Sequence, residues 1–178
     1  MNKKYSKLIL MLLLVCSSIS FAQDSSELKA QALKDAKTTS KATLNYDFET
    51  VIKHTYPTIV SLMGGKEKAV ETIASMFESM KSEGLVFEKA DILNVSDVIF
   101  EQDQYRCFVE GFNQLTINGM RISSKSYLLG IYDETKKTWC FLEAKQLKNA
   151  ALIDQILPDF STALNIPEDE MTQKKIDD

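Results

Sequence analysis

An Asn-Gly pair at positions 118–119 separates two alternating runs, 104–117 and 120–132. A two-residue hairpin turn needs φ > 0 at both central residues, and Asn-Gly adopts that conformation at low cost. The pair therefore predicts two long antiparallel strands and also their register. Ile117 faces Met120, Leu115 faces Ile122, Asn113 faces Ser124, Gly111 faces Ser126, Val109 faces Leu128 and Cys107 faces Gly130. Side chains alternate across a strand, so these residues share one side of the sheet, face A. Face B then carries the pairs Phe112–Lys125, Glu110–Tyr127, Phe108–Leu129 and Arg106–Ile131.

The elements before the hairpin read as helices. Residues 26–41 form a weakly amphipathic helix whose apolar side is mostly alanine, expected as a loosely docked arm (23–43) with Asp24 or Ser25 as cap. In 47–56, Phe48, Val51, Ile52 and Thr55 share one helical face with Ile59 until Pro57 interrupts. A further turn covers 58–63, and Gly64-Gly65 stops it. Lys66 to Glu83 has the strongest stripe, Val70, Ile73, Ala74, Phe77 and Met80, and Gly84 supplies its C-terminal cap. Strand-like sequence follows over 85–100, with a break near 94–97. After the hairpin come a polar turn at 133–137, a strand at 138–143 and a short helix at 149–157. The charged tail, 167–178, reads as disordered. Helices followed by an antiparallel meander predict an α+β fold, with the helices packed on one face of a strongly curved sheet.

Lys3, Lys4 and Lys7 precede an apolar run from Leu8 to Val15, and small residues stand at Ser20 and Ala22. This is the layout of a secretory signal peptide over 1–22, which implies a periplasmic or secreted protein. The run is shorter than the roughly 20 residues a membrane-spanning helix needs, so no integral membrane segment is expected after cleavage. The competing reading is a lipoprotein anchored through Cys16, but Val15 stands where such signals want a small residue. Without 1–22 the chain keeps 18 Lys+Arg against 25 Asp+Glu, a net charge of −7. An acidic chain with no basic run argues against nucleic acid as a partner.

Two segments carry a family resemblance. One is Tyr56-Pro57 followed by Leu62-Met63-Gly64-Gly65-Lys66-Glu67. The other is Ser124-Lys125-Ser126-Tyr127-Leu128-Leu129 followed by Lys137-Thr138-Trp139 and Phe141. Over about 44–166 the chain resembles exported bacterial domains with the nuclear transport factor 2-like, or cystatin-like, cone fold. The resemblance implies a cone-shaped α+β roll. Relatives with that fold include enzymes of the isomerase, cyclase and hydratase type, with acid/base residues inside the cone. None of those motifs matches residue by residue here.

The candidate binding residues are Asn113, Ser124 and Ser126 beside Gly111, with Tyr105 and Tyr132 as the phenols of face A. They suit a neutral hydrogen-bonding notch for a small apolar or amphipathic ligand. The competing reading is a strand end that reaches solvent past the helices. No residue is assigned a catalytic role, and neither a metal nor a cofactor is expected. Glu110, Tyr127 and Glu143 are expected as a row across face B, which would do acid/base work only if enclosed. His54, the only histidine, falls at the border of a buried helix face and reads as structural. Gly64-Gly65-Lys66 lacks the spacing and the preceding strand of a phosphate loop. Met63, Met76 and Met80 read as core filler.

On the last strand, Cys140 and Leu142 are expected on face A, and Trp139, Phe141 and Glu143 on face B. An aromatic face B would suit a homodimer through Trp139, Phe141, Phe108 and Leu129. The same register sets Cys107 and Cys140 on either side of Gly130, about 9–10 Å apart. A disulfide needs less than about 7 Å, so both thiols are expected reduced. Three functions remain: a non-enzymatic domain binding a small ligand or protein partner, a cone-fold enzyme, and a purely structural dimerisation module.

Overall fold

A computed structural model describes residues 25–176. The expected export signal at 1–22 lies outside them. Helix α1 spans 25–44, followed by α2 (Phe48–Lys53), α3 (Pro57–Leu62) and α4 (Lys66–Ser82). Asp47 caps α2, its Oδ1 accepting from the Thr50 N–H at 3.1 Å. Pro57 opens α3, where its missing N–H costs nothing. Gly64 and Gly65, at φ 91° and 96°, turn the chain between α3 and α4. Past α4, Gly84 takes φ 86°, and the N–H groups of Gly84 and Leu85 return to the carbonyls of Lys81 and Met80. That pairing is a Schellman end.

The sheet contains β1 (Val86–Val95), β2 (Ile99–Glu101), β3 (Gln104–Ile117), β4 (Met120–Asp133), β5 (Thr138–Glu143) and β6 (Glu170–Lys175). All strand pairs are antiparallel, in the order β1-β3-β4-β5, with β2 beside the start of β3 and β6 beside the start of β4. The fold is mixed α+β, helices first, with the sheet not closed into a barrel. Two register shifts in β1, at 87/89 and 92/94, are the irregularities that bend a strand and raise its twist. The β3–β4 register is the one the Asn-Gly turn predicts at every pair from Arg106–Ile131 to Ile117–Met120. Asn118 and Gly119 sit at φ 51° and 73°.

The register of β5 differs by one residue from the sequence expectation. Gly130 faces Phe141 and Tyr132 faces Trp139. Trp139 and Phe141 therefore lie on face A, and Cys140 and Leu142 on face B. The cause is the turn before them. Asp133 Oδ1 accepts from the N–H groups of Thr135 and Lys136 at 3.0 and 2.9 Å, and Lys137 takes φ 53°. The loop is thereby four residues long, and Asp133 pairs with Thr138. The aromatic dimer patch expected on face B is not formed: Trp139, Phe141 and Leu129 are all buried within the chain.

Face A is covered by α1. Ala32 and Ala36 pack in one cluster with Val95, Cys107, Val109, Trp139 and Phe141. The helix expected as a loose arm is thus part of the core. Alanine is what allows it, because a small side chain lets the helix axis approach the two aromatic rings. Polar ties fix the placement. Trp139 Nε1 donates to the Leu28 carbonyl at 3.0 Å, and Asp35 Oδ2 accepts from the Trp139 N–H at 2.9 Å and from Thr138 Oγ1 at 3.2 Å. Helix α4 instead packs on α2 and reaches the sheet edge through a Phe77–Phe87 stack at 5.1 Å. Its stripe is only half-buried, and the one fully covered residue of α4 is Ala69, outside that stripe.

Face B is covered by the chain's end. Leu129, Ile131 and Leu142 pack against Ile156 and Leu157 of a C-terminal unit: the 3-10 turn Ala144–Lys148 and α5 (Ala150–Ile156). The segment 157–169 then crosses to β6. The tail expected to be disordered thus carries a strand paired with β4. Arg106 clamps the crossing. Its Nη1 donates to the Ser161 carbonyl at 2.8 Å and to Glu101 Oε1 at 3.2 Å, while Glu101 Oε2 accepts from the Ala163 N–H at 2.8 Å.

Cys107 and Cys140 are free and buried, as expected, but on opposite faces of the sheet. A Cβ on Gly130 would meet Cys107 Sγ at 3.1 Å and the rings of Phe141 and Trp139 at 3.2 and 3.3 Å, so the space above that glycine is filled. Burial pushes the Cys107 thiol from 9.0 up to about 12, against a weaker opposite pull from Lys29. Burial, then Asp133, pushes Cys140 up to about 11. In the unfolded chain both thiols ionise near 9, while in the folded chain they stay protonated. Above pH 9 the unfolded state therefore binds fewer protons, and stability should fall as pH rises through 9–11. The slope is about 1.4 kcal/mol per pH unit for each thiol. Urea titrations at pH 8, 9 and 10 measure it, and the Cys107→Ala/Cys140→Ala variant should flatten the dependence.

Candidate ligand-binding groove

The five residues predicted to bind ligand do not converge. Asn113 Nδ2 donates to Ser126 Oγ at 3.2 Å, and Ser124 stands opposite Asn113. This is a half-buried polar patch on the distal half of the hairpin. Tyr105 and Tyr132 lie beyond Cys107, Val109 and Leu128, where they pack as walls of the core. Tyr105 tilts against Phe100 at 4.9 Å and Tyr132 against Trp139 at 5.4 Å. Burial, then Asp35, raises the Tyr132 phenol above its ordinary value.

The acid/base row is also not assembled. Glu110 faces Tyr127, but Glu143 faces Leu128 and so belongs to face A. Tyr127 is buried edge-on against Phe108 at 5.9 Å, and Lys125 Nζ sits 3.4 Å from Glu110 Oε1. Burial, then Glu110, pushes the Tyr127 phenol up. His54 lies deeper than its helix border suggested. It is buried, with Nδ1 3.0 Å from the Trp139 carbonyl and 3.4 Å from Thr138 Oγ1. Because a carbonyl only accepts, Nδ1 must carry the proton. The backbone of 54–56 also seals the edge of β5: Phe141 N–H donates to the His54 carbonyl at 2.7 Å, and Tyr56 N–H donates to the Phe141 carbonyl at 2.9 Å. His54 is a structural residue. Among the described residues, no group of three His, Cys, Asp or Glu side chains is placed to hold a metal ion.

A groove of ≈ 510 Å³ lies outside the sheet, between α2, α3 and the start of α4. Ile52, Pro57 and Val60 contribute apolar surface; Thr50, Thr55 and Ser61 contribute hydroxyls; Lys53, Lys66 and Lys136 stand around it with Glu49. Lys66 Nζ is 3.3 Å from Glu49, and Lys136 Nζ is 3.2 Å from Asp133. Lys53 has no carboxylate partner among the described residues. Gly65, at the mouth, begins α4 without a side-chain cap. Three lysines against Glu49 and Asp133 leave one net positive charge here, on Lys53, in an acidic chain.

Sequence reasoning missed the groove because its parts are distant along the chain. Lys136 comes from the β4–β5 turn, some seventy residues beyond Lys66. The Gly64-Gly65-Lys66 run, dismissed as a phosphate loop, was the one local signal. Its glycines turn the chain and so bring α3 and α4 together at the groove.

No protein-family model matches the chain, and no curated protein matches it either. The class the fold defines is a mixed α+β fold with an open antiparallel sheet, one face of which is covered by its own first helix. No helix among the described residues is long and apolar enough to cross a membrane.

Proposed function

We propose that the chain is an exported, non-enzymatic binding domain of the cone-fold type, and that the α2–α3–α4 groove takes a small amphipathic anion. The observation that carries this reading is the combination of Lys53, Lys66 and Lys136 with an apolar floor of Ile52, Pro57 and Val60. Clefts of this size accept small ligands, and a few polar groups on an apolar lining set their orientation. A carboxylate head would sit among the ammonium groups and the N–H groups that open α4, with an alkyl chain along the floor. The packing of α1 against Trp139 and Phe141 supports placing the ligand outside the cone.

Titration with dodecanoate by calorimetry tests the proposal. Saturable one-to-one binding is expected, at least tenfold weaker in the Lys53→Glu/Lys136→Glu variant. Tenfold corresponds to about 1.4 kcal/mol, a modest demand on two charge reversals. Dodecanol, with the same chain and no charge, should bind more weakly than dodecanoate. No saturable binding, or equal binding by the charge-reversed variant, would reject the groove as the site.

A further inference from the structure

The sheet has four stretches of outer edge, and three of them are protected. Strand β2 is only three residues long, too short to template a partner. Strand β1 is broken by its two register shifts, and Ser40 Oγ donates to the Ala90 carbonyl. The edge of β5 is sealed by residues 54–56. Bulges and covering segments are how proteins keep sheet edges from pairing. Strand β6 has neither. It pairs with β4 without a shift over six residues, and all six are exposed, Met171 at 66%.

The direction of its outer backbone groups can be worked out. Ile176 N–H donates to the Gly119 carbonyl at 2.8 Å, so that group points toward β4. By the alternation of an antiparallel ladder, Glu170, Thr172 and Lys174 also point inward. Met171, Gln173 and Lys175 therefore direct their N–H and C=O groups outward. A second β6, related by a two-fold axis, can pair only in registers that set outward residues against outward residues. Of these, the register centred on Thr172 places Glu170 opposite Lys174 and Asp169 opposite Lys175. Both pairs occur twice across the axis, and the strand is self-complementary in charge.

We propose that two copies of this chain associate edge to edge through antiparallel β6–β6 pairing centred on Thr172, joining their sheets into one. Met171 and Gln173 exchange backbone hydrogen bonds with their counterparts, and the flanking carboxylate–ammonium pairs select the register. This contact is independent of the groove and leaves it open.

Sedimentation of the protein from micromolar to about 100 µM should show a concentration-dependent dimer. Lys174→Glu should shift association to at least tenfold higher concentration, and so should Glu170→Lys. The Glu170→Lys/Lys174→Glu double variant should recover the dimer, because it restores opposite charges across the axis. Gln173→Pro removes an N–H that points away from β4, so it should abolish association while leaving the fold intact. Thr172→Cys places two thiols at a non-hydrogen-bonded pair, with Cα atoms ~4.5 Å apart. Mild oxidation should then yield a covalent dimer, and adding Gln173→Pro should prevent it. A monomer throughout with no Thr172→Cys cross-link would overturn the proposal. A dimer indifferent to Gln173→Pro and to both charge variants would overturn it equally, by placing the contact elsewhere.

Discussion

Trp139→Ala should lower stability by about 3–5 kcal/mol, the range for truncating a buried tryptophan. The ring is fully buried between α1 and the sheet, and its edge fills part of the space above Gly130. The loss has two parts. One is the cavity left beside Ala32, Ala36 and Tyr132. The other is the Leu28 carbonyl, which would lose its indole N–H donor. Trp139→Phe separates them: it retains much of the volume without the donor, and should cost about 1–3 kcal/mol. Urea unfolding followed by circular dichroism measures both. A loss under about 1 kcal/mol for the alanine variant would mean that α1 is not held to the sheet through this ring.

Arg106→Leu should have an effect of the same size by a different route. Arg106 is buried at the base of β3, and its guanidinium reaches Glu101, Gln102, Gln104 and the Ser161 carbonyl, with Phe160 stacked at 5.1 Å. Removing it leaves the Glu101 carboxylate in place without its cation. Breaking a buried pair from one side costs about 3–5 kcal/mol. The Glu101→Leu/Arg106→Leu variant leaves no orphan charge and should be the more stable of the two. Burial pushes the Glu101 carboxyl up, but hydrogen bonds from Thr162 and Ala163 and the Arg106 guanidinium outweigh it and hold the group below its ordinary value. A lowered folded-state value means the contribution is present above the unfolded carboxyl range. It is lost as pH falls through the folded value. Limited proteolysis should therefore cut 157–169 faster in Arg106→Leu at neutral pH, and faster in the native protein on acidification. Equal cutting rates in native and variant protein would dismiss the clamp.

The parts of this fold legible in the sequence are those set by local chemistry. Asn118-Gly119 fixes the hairpin register because only one short turn suits it, and Gly84 marks the end of α4 for a similar reason. The β5 register was not legible. The turn at 133–137 is held by the Asp133 side chain and by a left-handed lysine, neither of which composition announces. That single residue moved Trp139 and Phe141 to the other face, and with them the expected dimer surface and the Glu143 end of the acid/base row. Strand β6 was invisible for another reason: it buries no side chain, so no hydrophobic period betrays it, and it is held by backbone pairing to β4. Helix α1 looked weak because alanine carries little hydrophobic signal, although small side chains are what its close approach requires. The groove escaped because Lys53, Lys66 and Lys136 meet only in three dimensions.

The order in which β4 acquires its neighbours has a consequence for synthesis. Its edge is shared by two strands, β5 along 128–133 and β6 along 120–125, with the Tyr127 N–H between them taken by Asp169 Oδ1 at 3.2 Å. Strand β5 follows within a few residues, but β6 lies some forty residues further on. A growing chain can therefore complete its helices, the hairpin and both apolar clusters while the first half of β4 still presents open backbone groups. In that interval the distal hairpin is the part most exposed to pairing with a neighbouring nascent chain. The polar make-up of that stretch, with Arg121, Ser123, Ser124, Lys125 and Ser126 along β4, suits an edge that must wait for its partner.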